Sequence, residues 1–316
     1  MRPVRFAYFR PDTIEAAVEC LRDGDGTARI LAGGQSLVPL LNRRLVRPGA
    51  LVDLGQIAGL RYLACDEDML RIGAMTTHAD IEAASDPAVL AQFGVLPSSA
   101  RHIGHLPVRT RGTFGGSIAH ADPGAQWCLL SVLLDAQIVL HGPAGSRTVP
   151  AAAFFTGAHR TVAAPAEIVT EVRFPHRAPV AALAEFGFRA GHSPLVAAAA
   201  AVELGPLGMV LSARIALSGV ADRPIRATAA EESLTGEILR PGLISQLARQ
   251  VARGLRPPGD TPADARDRAD LAEALMGRAL QDCVLQDCAL QNCASGRSTA
   301  GAFRTDTKRN GDGHDR

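Results

Sequence analysis

The stretch ILAGGQSLVPLLNRRL, residues 30–45, sets an apolar run, two adjacent glycines and an amphipathic segment in sequence. A buried strand that turns sharply into a helix needs one glycine; a second marks a place where something approaches the bare backbone. ARILA (28–32) reads as the strand, Ser36 as the cap of a helix reaching about Leu45, and ALVDL (50–54) as the next strand. The unit is therefore β-α-β, with the glycine pair at its first turn. Taken alone, the pair has two readings: a tight turn with an ordinary serine cap, or consecutive N–H groups forming a concave anion nest.

Upstream, Asp12 and Glu15 have capping-box spacing ahead of Ile14, Ala17, Val18 and Leu21, which predicts a helix over 13–22. Downstream, RYLACDEDMLRIGAM (61–75) reads as a hairpin, Thr77 opens a short helix, and Asp86-Pro87 breaks it. A further helical stretch reaches Ile103. A polar, glycine-bearing loop (108–124) then leads to an apolar helix (125–134), the strand AQIVLH, and a strand over 167–175. This loop contains a second glycine pair, Gly115-Gly116, flanked by Thr113 and Ser117. Two such turns can hold a diphosphate from both sides.

HRAPVAA reads as a linker, which divides the chain into residues 1–176 and 177–280. Strand candidates come first in the second part, although its alanine run also suits a helix, and helices follow at 225–235, 241–254 and 263–280, an α+β order. From Gln281 the five-residue repeat LQDCVLQDCALQNC and the polar, Gly-bearing end (281–316) read as a disordered tail.

The totals restrict the partners. With 47% hydrophobic and 21% charged residues, the chain is expected to bury a core. Its 33 basic residues against 32 acidic ones do not favour nucleic acid. No segment approaches a membrane span and the N-terminus lacks a leader pattern, so a cytoplasmic protein is expected. The six cysteines (Cys20, Cys65, Cys128, Cys283, Cys288, Cys293) form no CxxC pair, which excludes the usual iron–sulfur spacings from this chain. Neither GxGxxG after a strand nor GxxxxGK[ST] occurs, so Rossmann and P-loop sites are unsupported. His78, His102, His105 and His120 lack metal-ligand spacing and read as surface or helix-end residues, and Trp127 reads as helix core. Arg109 and Arg111, beside the second glycine pair, either hold an anion or face water.

In combination, AGGQSLVPLLNRRL (32–45), IGAMTTHADI (72–81) and RTRGTFGGSIAHADPGAQW (109–127) resemble the FAD-binding medium subunit of the molybdenum hydroxylases, of the carbon monoxide dehydrogenase and xanthine dehydrogenase type. The resemblance spans residues 1 to about 280. It implies an α+β fold: a two-subdomain FAD-binding domain of the vanillyl-alcohol oxidase type, each subdomain α/β, followed by a small α+β domain. The implied FAD cradle is Ala32, Gly33, Gly34, Gln35, Ser36 and Leu37 with Thr113, Phe114, Gly115, Gly116 and Ser117. On this reading the second glycine of the first pair admits a flavin phosphate. Gln126 stands where relatives commonly carry an acid toward the cofactor's hydroxyls, and Gly191-His192-Ser193 replaces a Gly-Asp-aromatic pattern.

The resemblance further implies an oxidoreductase subunit in a dimer of heterotrimers, with iron–sulfur clusters on a small partner and a molybdenum cofactor on a large one. Electrons would pass through FAD to an external acceptor. A stand-alone flavin oxidase and a flavin-free assembly protein are the competing expectations.

Overall fold

The β-α-β unit forms around the first glycine pair. The computed structural model describes residues 5–294 except 25, 67–68, 190 and 261–262. It begins with β1 (Ala7–Phe9), α1 (Ile14–Asp23), β2 (Arg29–Leu31), α2 (Leu37–Asn42) and β3 (Ala50–Asp53). The strands make a parallel sheet in the order β1-β3-β2. Helix α1 buries Ala17, Val18 and Leu21 beside Val52 and Leu54. Its cap is Thr13, whose hydroxyl accepts from Ala16 N, and not the expected Asp12–Glu15 box. Helix α2 stops three residues before Leu45, since Arg44 takes φ +57°.

The second subdomain is built on β4 (Leu63–Cys65) and β5 (Leu70–Gly73), the expected hairpin; its turn residues 67–68 lie outside the described residues. Then follow α3 (His78–Glu82), α4 (Pro87–Phe93), α5 (Val95–Ala100), α6 (Leu106–Arg109), α7 (Phe114–His120) and α8 (Gln126–Leu133). The subdomain closes with β6 (Gln137–Gly142), β7 (Gly145–Pro150), α9 (Ala151–Phe154), β8 (Phe155–Gly157), β9 (Arg160–Thr161) and β10 (Ile168–Phe174). The main sheet runs β4-β5-β10-β6-β7 and is antiparallel at every pairing, so this half is mixed but not α/β in the parallel sense. Thr77 and Asp80 form a complete capping box on α3. Asp86-Pro87 ends that segment and also starts α4, with Asp86 as its cap. The expected loop over 108–124 is largely helical: Thr113 caps α7 through Gly116 N. Every residue of α8 is buried.

The C-terminal part consists of β11 (Ala181–Phe186), β12 (Val196–Leu204), β13 (Val210–Ser218), β14 (Ile225–Arg226), α10 (Thr228–Leu234), α11 (Pro241–Gly254) and α12 (Ala265–Ala294). The alanine run lies in β12, the second strand of an antiparallel sheet ordered β11-β12-β13-β14. Its alternation explains the composition. Ala197, Ala199 and Ala201 face the core around Trp127, whereas Ala198 and Ala200 face the core shared with α11 and α12. Both faces of the strand are covered, and methyl groups permit close approach on each side.

Helix α12 corrects the expected boundary at Gln281. It continues to Ala294, and Cys283 is fully buried, its thiol donating to Ala200 O at 3.5 Å. Beyond Cys283 the helix exposes Leu285, Cys288 and Leu290, and residues 295–316 lie outside the described residues.

Candidate functional site

The two glycine-bearing turns, about 80 residues apart in sequence, pack directly on each other, the first through Gly33 and the second through Arg111 and Gly112. A Cβ on Gly33 would fall 2.0 Å from Arg111 O and 2.8 Å from Gly112 Cα. Gly34 has φ +72°, a conformation that disfavours any side chain. The double glycine therefore has two separate causes: Gly33 lets the second turn's backbone approach, and Gly34 supplies a left-handed residue. The positive φ is a backbone requirement for Gly34 that is separate from the expected approach of a phosphate. Gly115 is equally constrained, since a Cβ there would lie 2.4 Å from Ala74 Cβ at the end of β5.

A cavity of about 850 Å³ runs along this seam, within the usual range of ~300–1,000 Å³ for cofactor pockets. One end is apolar, with Ile30, Leu54 and Ile168; the other reaches Gln126, His159 and the 191–193 turn. Of the residues expected to form the cradle, Ala32, Gly33, Gly34, Gln35, Ser36, Leu37, Thr113, Gly115, Gly116, Ser117 and Gln126 line the cavity. Phe114 does not: its ring points into the core, 4.9 Å from Trp127 and 6.1 Å from Phe174 between centroids. As the first residue of α7 its side chain takes the buried face.

The hydrogen bonds of the two turns differ. Among the described residues the backbone N–H groups of Gly34, Gln35, Ser36 and Leu37 meet no protein acceptor, which leaves four consecutive donors at the cavity wall. Ser36 caps nothing with its side chain, contrary to expectation. In the second turn the N–H groups of residues 114–117 are occupied. Phe114 donates to Thr76 O, Gly115 to Ala74 O, Gly116 to Thr113 Oγ1 and Ser117 to Thr113 O. Of the expected second set of backbone donors, those of Gly115, Gly116 and Ser117 are used by α7 and the end of β5; the Thr113 N–H, with no acceptor among the described residues, and the Ser117 hydroxyl remain.

Arg109 is engaged with protein acceptors through two of its nitrogens. It donates to Glu82 Oε2 at 2.6 Å and to Gly104 O, tying α6 to α3. Arg111 exposes its side chain and contributes its carbonyl to the seam with Gly33. Gln126 is buried and donates to Glu185 Oε2 at 2.9 Å, linking α8 to β11. Burial raises the Glu185 carboxyl above its ordinary range, with the Gln126 amide opposing the shift.

Several cavity residues escaped the sequence reading. His78 is 5% exposed, not a surface residue. His159 stacks on His120 with centroids 4.6 Å apart, and burial followed by the His159 charge lowers the His120 pKa. Asp122 accepts from Ser193 Oγ at 3.4 Å, which closes the cavity's C-terminal end. The only local signal for these was a capping box next to His78. The others meet through tertiary contacts 39 to 71 residues apart in sequence.

Residues 4–177 match the family of the FAD binding domain in molybdopterin dehydrogenase, and residues 181–283 match the CO dehydrogenase flavoprotein C-terminal domain. The chain belongs to this flavoprotein family. A subunit of the 6-hydroxypseudooxynicotine dehydrogenase complex of Paenarthrobacter nicotinovorans is 34% identical over 89% of this chain and 95% of that protein. The carbon monoxide dehydrogenase medium chain of Hydrogenophaga pseudoflava is also 34% identical, over 89% and 97%. Among solved structures, quinoline 2-oxidoreductase from Pseudomonas putida 86 superposes with a TM-score of 0.85 at 35% identity, covering 90% of this chain and 99% of that one. The chain is thus an oxidoreductase subunit of the molybdenum hydroxylase type, with the expected α+β fold and FAD as its cofactor. No helix among the described residues is long and apolar enough to cross a membrane.

Proposed function

We propose that the cavity between the two glycine turns holds one non-covalent FAD, and that the chain receives electrons from iron–sulfur clusters of a partner subunit and delivers them to an external acceptor. The observation that carries this reading is the row of four N–H groups at residues 34–37, without an acceptor among the described residues, on residues that line the cavity. Such a row suits the oxygens of a diphosphate, and Gly33 and Gly112 leave that part of the wall without side chains. The remaining residues of the cradle, including Thr113, Gly115, Gly116, Ser117 and Gln126, act as wall and hydroxyl or amide contacts. Bound flavin would supply two-electron uptake with release singly or in pairs. The protein's part is to bind, orient and shield.

The substrate is assigned to another subunit. Subunits of enzymes named for nicotine, carbon monoxide and 6-hydroxypseudooxynicotine resemble this chain to a similar extent, at 33–34% identity, so overall similarity does not select a substrate. We extend the reading to a cytoplasmic complex with a small iron–sulfur and a large molybdenum-cofactor subunit, arranged as a dimer of heterotrimers. The naming of relatives as medium chains supports the three-subunit part.

The test is rapid-mixing absorbance of the purified chain. Dithionite should bleach the flavin band, whereas N-heterocycles, aldehydes and carbon monoxide should do so only after both partner subunits are added. Bleaching by any of these without partners would replace the relay with a self-contained oxidase.

A further inference from the structure

His78 is the first residue of α3, held by the Thr77–Asp80 capping box and by donation of its own N–H to Gly112 O at 3.0 Å. An isolated bridge between Thr77 and Thr113 fixes this segment to the second glycine turn. The imidazole is buried, and Trp127 Nε1 donates to its Nδ1 at 3.0 Å. An indole N–H can only donate, so Nδ1 must present a lone pair and the proton of the neutral ring resides on Nε2. Burial, then the Arg109 charge, lowers the His78 pKa to about 4, which keeps the ring neutral.

Nε2 lies at the seam. A Cβ on Gly112 would stand 2.7 Å from it, and Gly112 Cα is the atom that Gly33 approaches. Among the described residues nothing accepts from Nε2, although His78 lines the cavity. Nε2 is not one of the fully enclosed side-chain atoms that lack a partner, so on this buried residue its N–H is open to an acceptor in the cavity. The second turn, moreover, has its N–H groups at residues 114–117 already engaged, which leaves Thr113 N–H as its one backbone donor among residues 113–117.

We propose that His78 is the donor from the second side of the seam: Nε2–H, its tautomer fixed by Trp127, donates to a phosphate oxygen of the cofactor opposite residues 34–37. This rests on the cavity holding FAD. Gly112 lacks a side chain because one would cover that proton.

Two measurements test it on the full chain: FAD titration of the apoprotein, and ¹⁵N spectra of histidine-labelled protein with and without FAD. His78→Leu should weaken FAD by about 10- to 100-fold, the loss expected for one hydrogen bond to a charged acceptor. His78→Gln, which places an amide N–H near the Nε2 position, should recover most of it. The spectra should show His78 protonated at Nε2 and its resonance shifted by FAD. If His78→Leu does not fold, the spectra of the unaltered protein decide. A proton on Nδ1, an Nε2 signal indifferent to FAD, or unchanged affinity in a folded His78→Leu overturns the assignment. Failure of the unaltered protein to bind FAD would instead overturn the cofactor reading itself.

Discussion

Gly33→Ala adds one methyl group where the structure has least room. The new Cβ would lie 2.0 Å from Arg111 O, against ~3.5 Å for an unstrained contact, so the two turns must separate by more than an ångström. The obstacle is main chain on both sides and cannot rotate away. The cost belongs at the upper end of overpacking, about 3 kcal/mol. FAD should suffer as well, because opening the seam removes at least one charged hydrogen bond from reach, about 10- to 100-fold in affinity. Gly34→Ala is the contrasting change. Its Cβ would meet Val38 Cγ2 at 3.2 Å, on an exposed side chain, and Leu31 Cδ1 at an ordinary 3.5 Å, so the penalty is the positive φ, about 1–2 kcal/mol. Urea unfolding of the apoproteins and FAD titration give both quantities. Equal losses for the two variants, or a Gly33→Ala protein with unaltered stability, would refute the separation of roles.

Three other expectations follow from the same geometry. His78, lowered to about 4 against 6.5 when unfolded, contributes stability that is complete above about pH 6.5 and lost as pH falls toward 4, about 3 kcal/mol in all; urea unfolding across that window should show the slope shrink in His78→Gln. Gln126→Leu should destabilise by about 1–3 kcal/mol, because half-buried Glu185 loses the amide that donates to it; an unchanged melting curve would show that link to be inert. A chain stopped after Leu280 should melt several degrees lower, since it lacks the buried Cys283 contact to β12; a melting temperature equal to that of the full chain would show the added turn of α12 to be dispensable.

Local pattern revealed much of the fold. Ala17, Val18 and Leu21 announced α1 by their spacing, and Thr77 announced α3 by its cap. The family motifs marked the cavity wall, all but Phe114. What escaped the sequence depended on distant partners. The reason for Gly33 is a carbonyl 78 residues away in the chain, and α7 was hidden because of the glycines in its first turn, of which Gly115 packs on Ala74. The alanine run was ambiguous since both faces of β12 are buried, which erases strand alternation. The five-residue repeat obscured the end of α12 because tertiary contact at Cys283, and not amphipathic period, extends that helix.

The central claim is the position of the diphosphate, and a crystal structure of the chain reconstituted with FAD tests it most directly. The account predicts diphosphate oxygens within hydrogen-bonding distance of the N–H groups of residues 34–37 on one side and of His78 Nε2 on the other. Diphosphate density outside the seam between Gly33 and Gly112, or flavin bound with residues 34–37 still unpartnered, would contradict it.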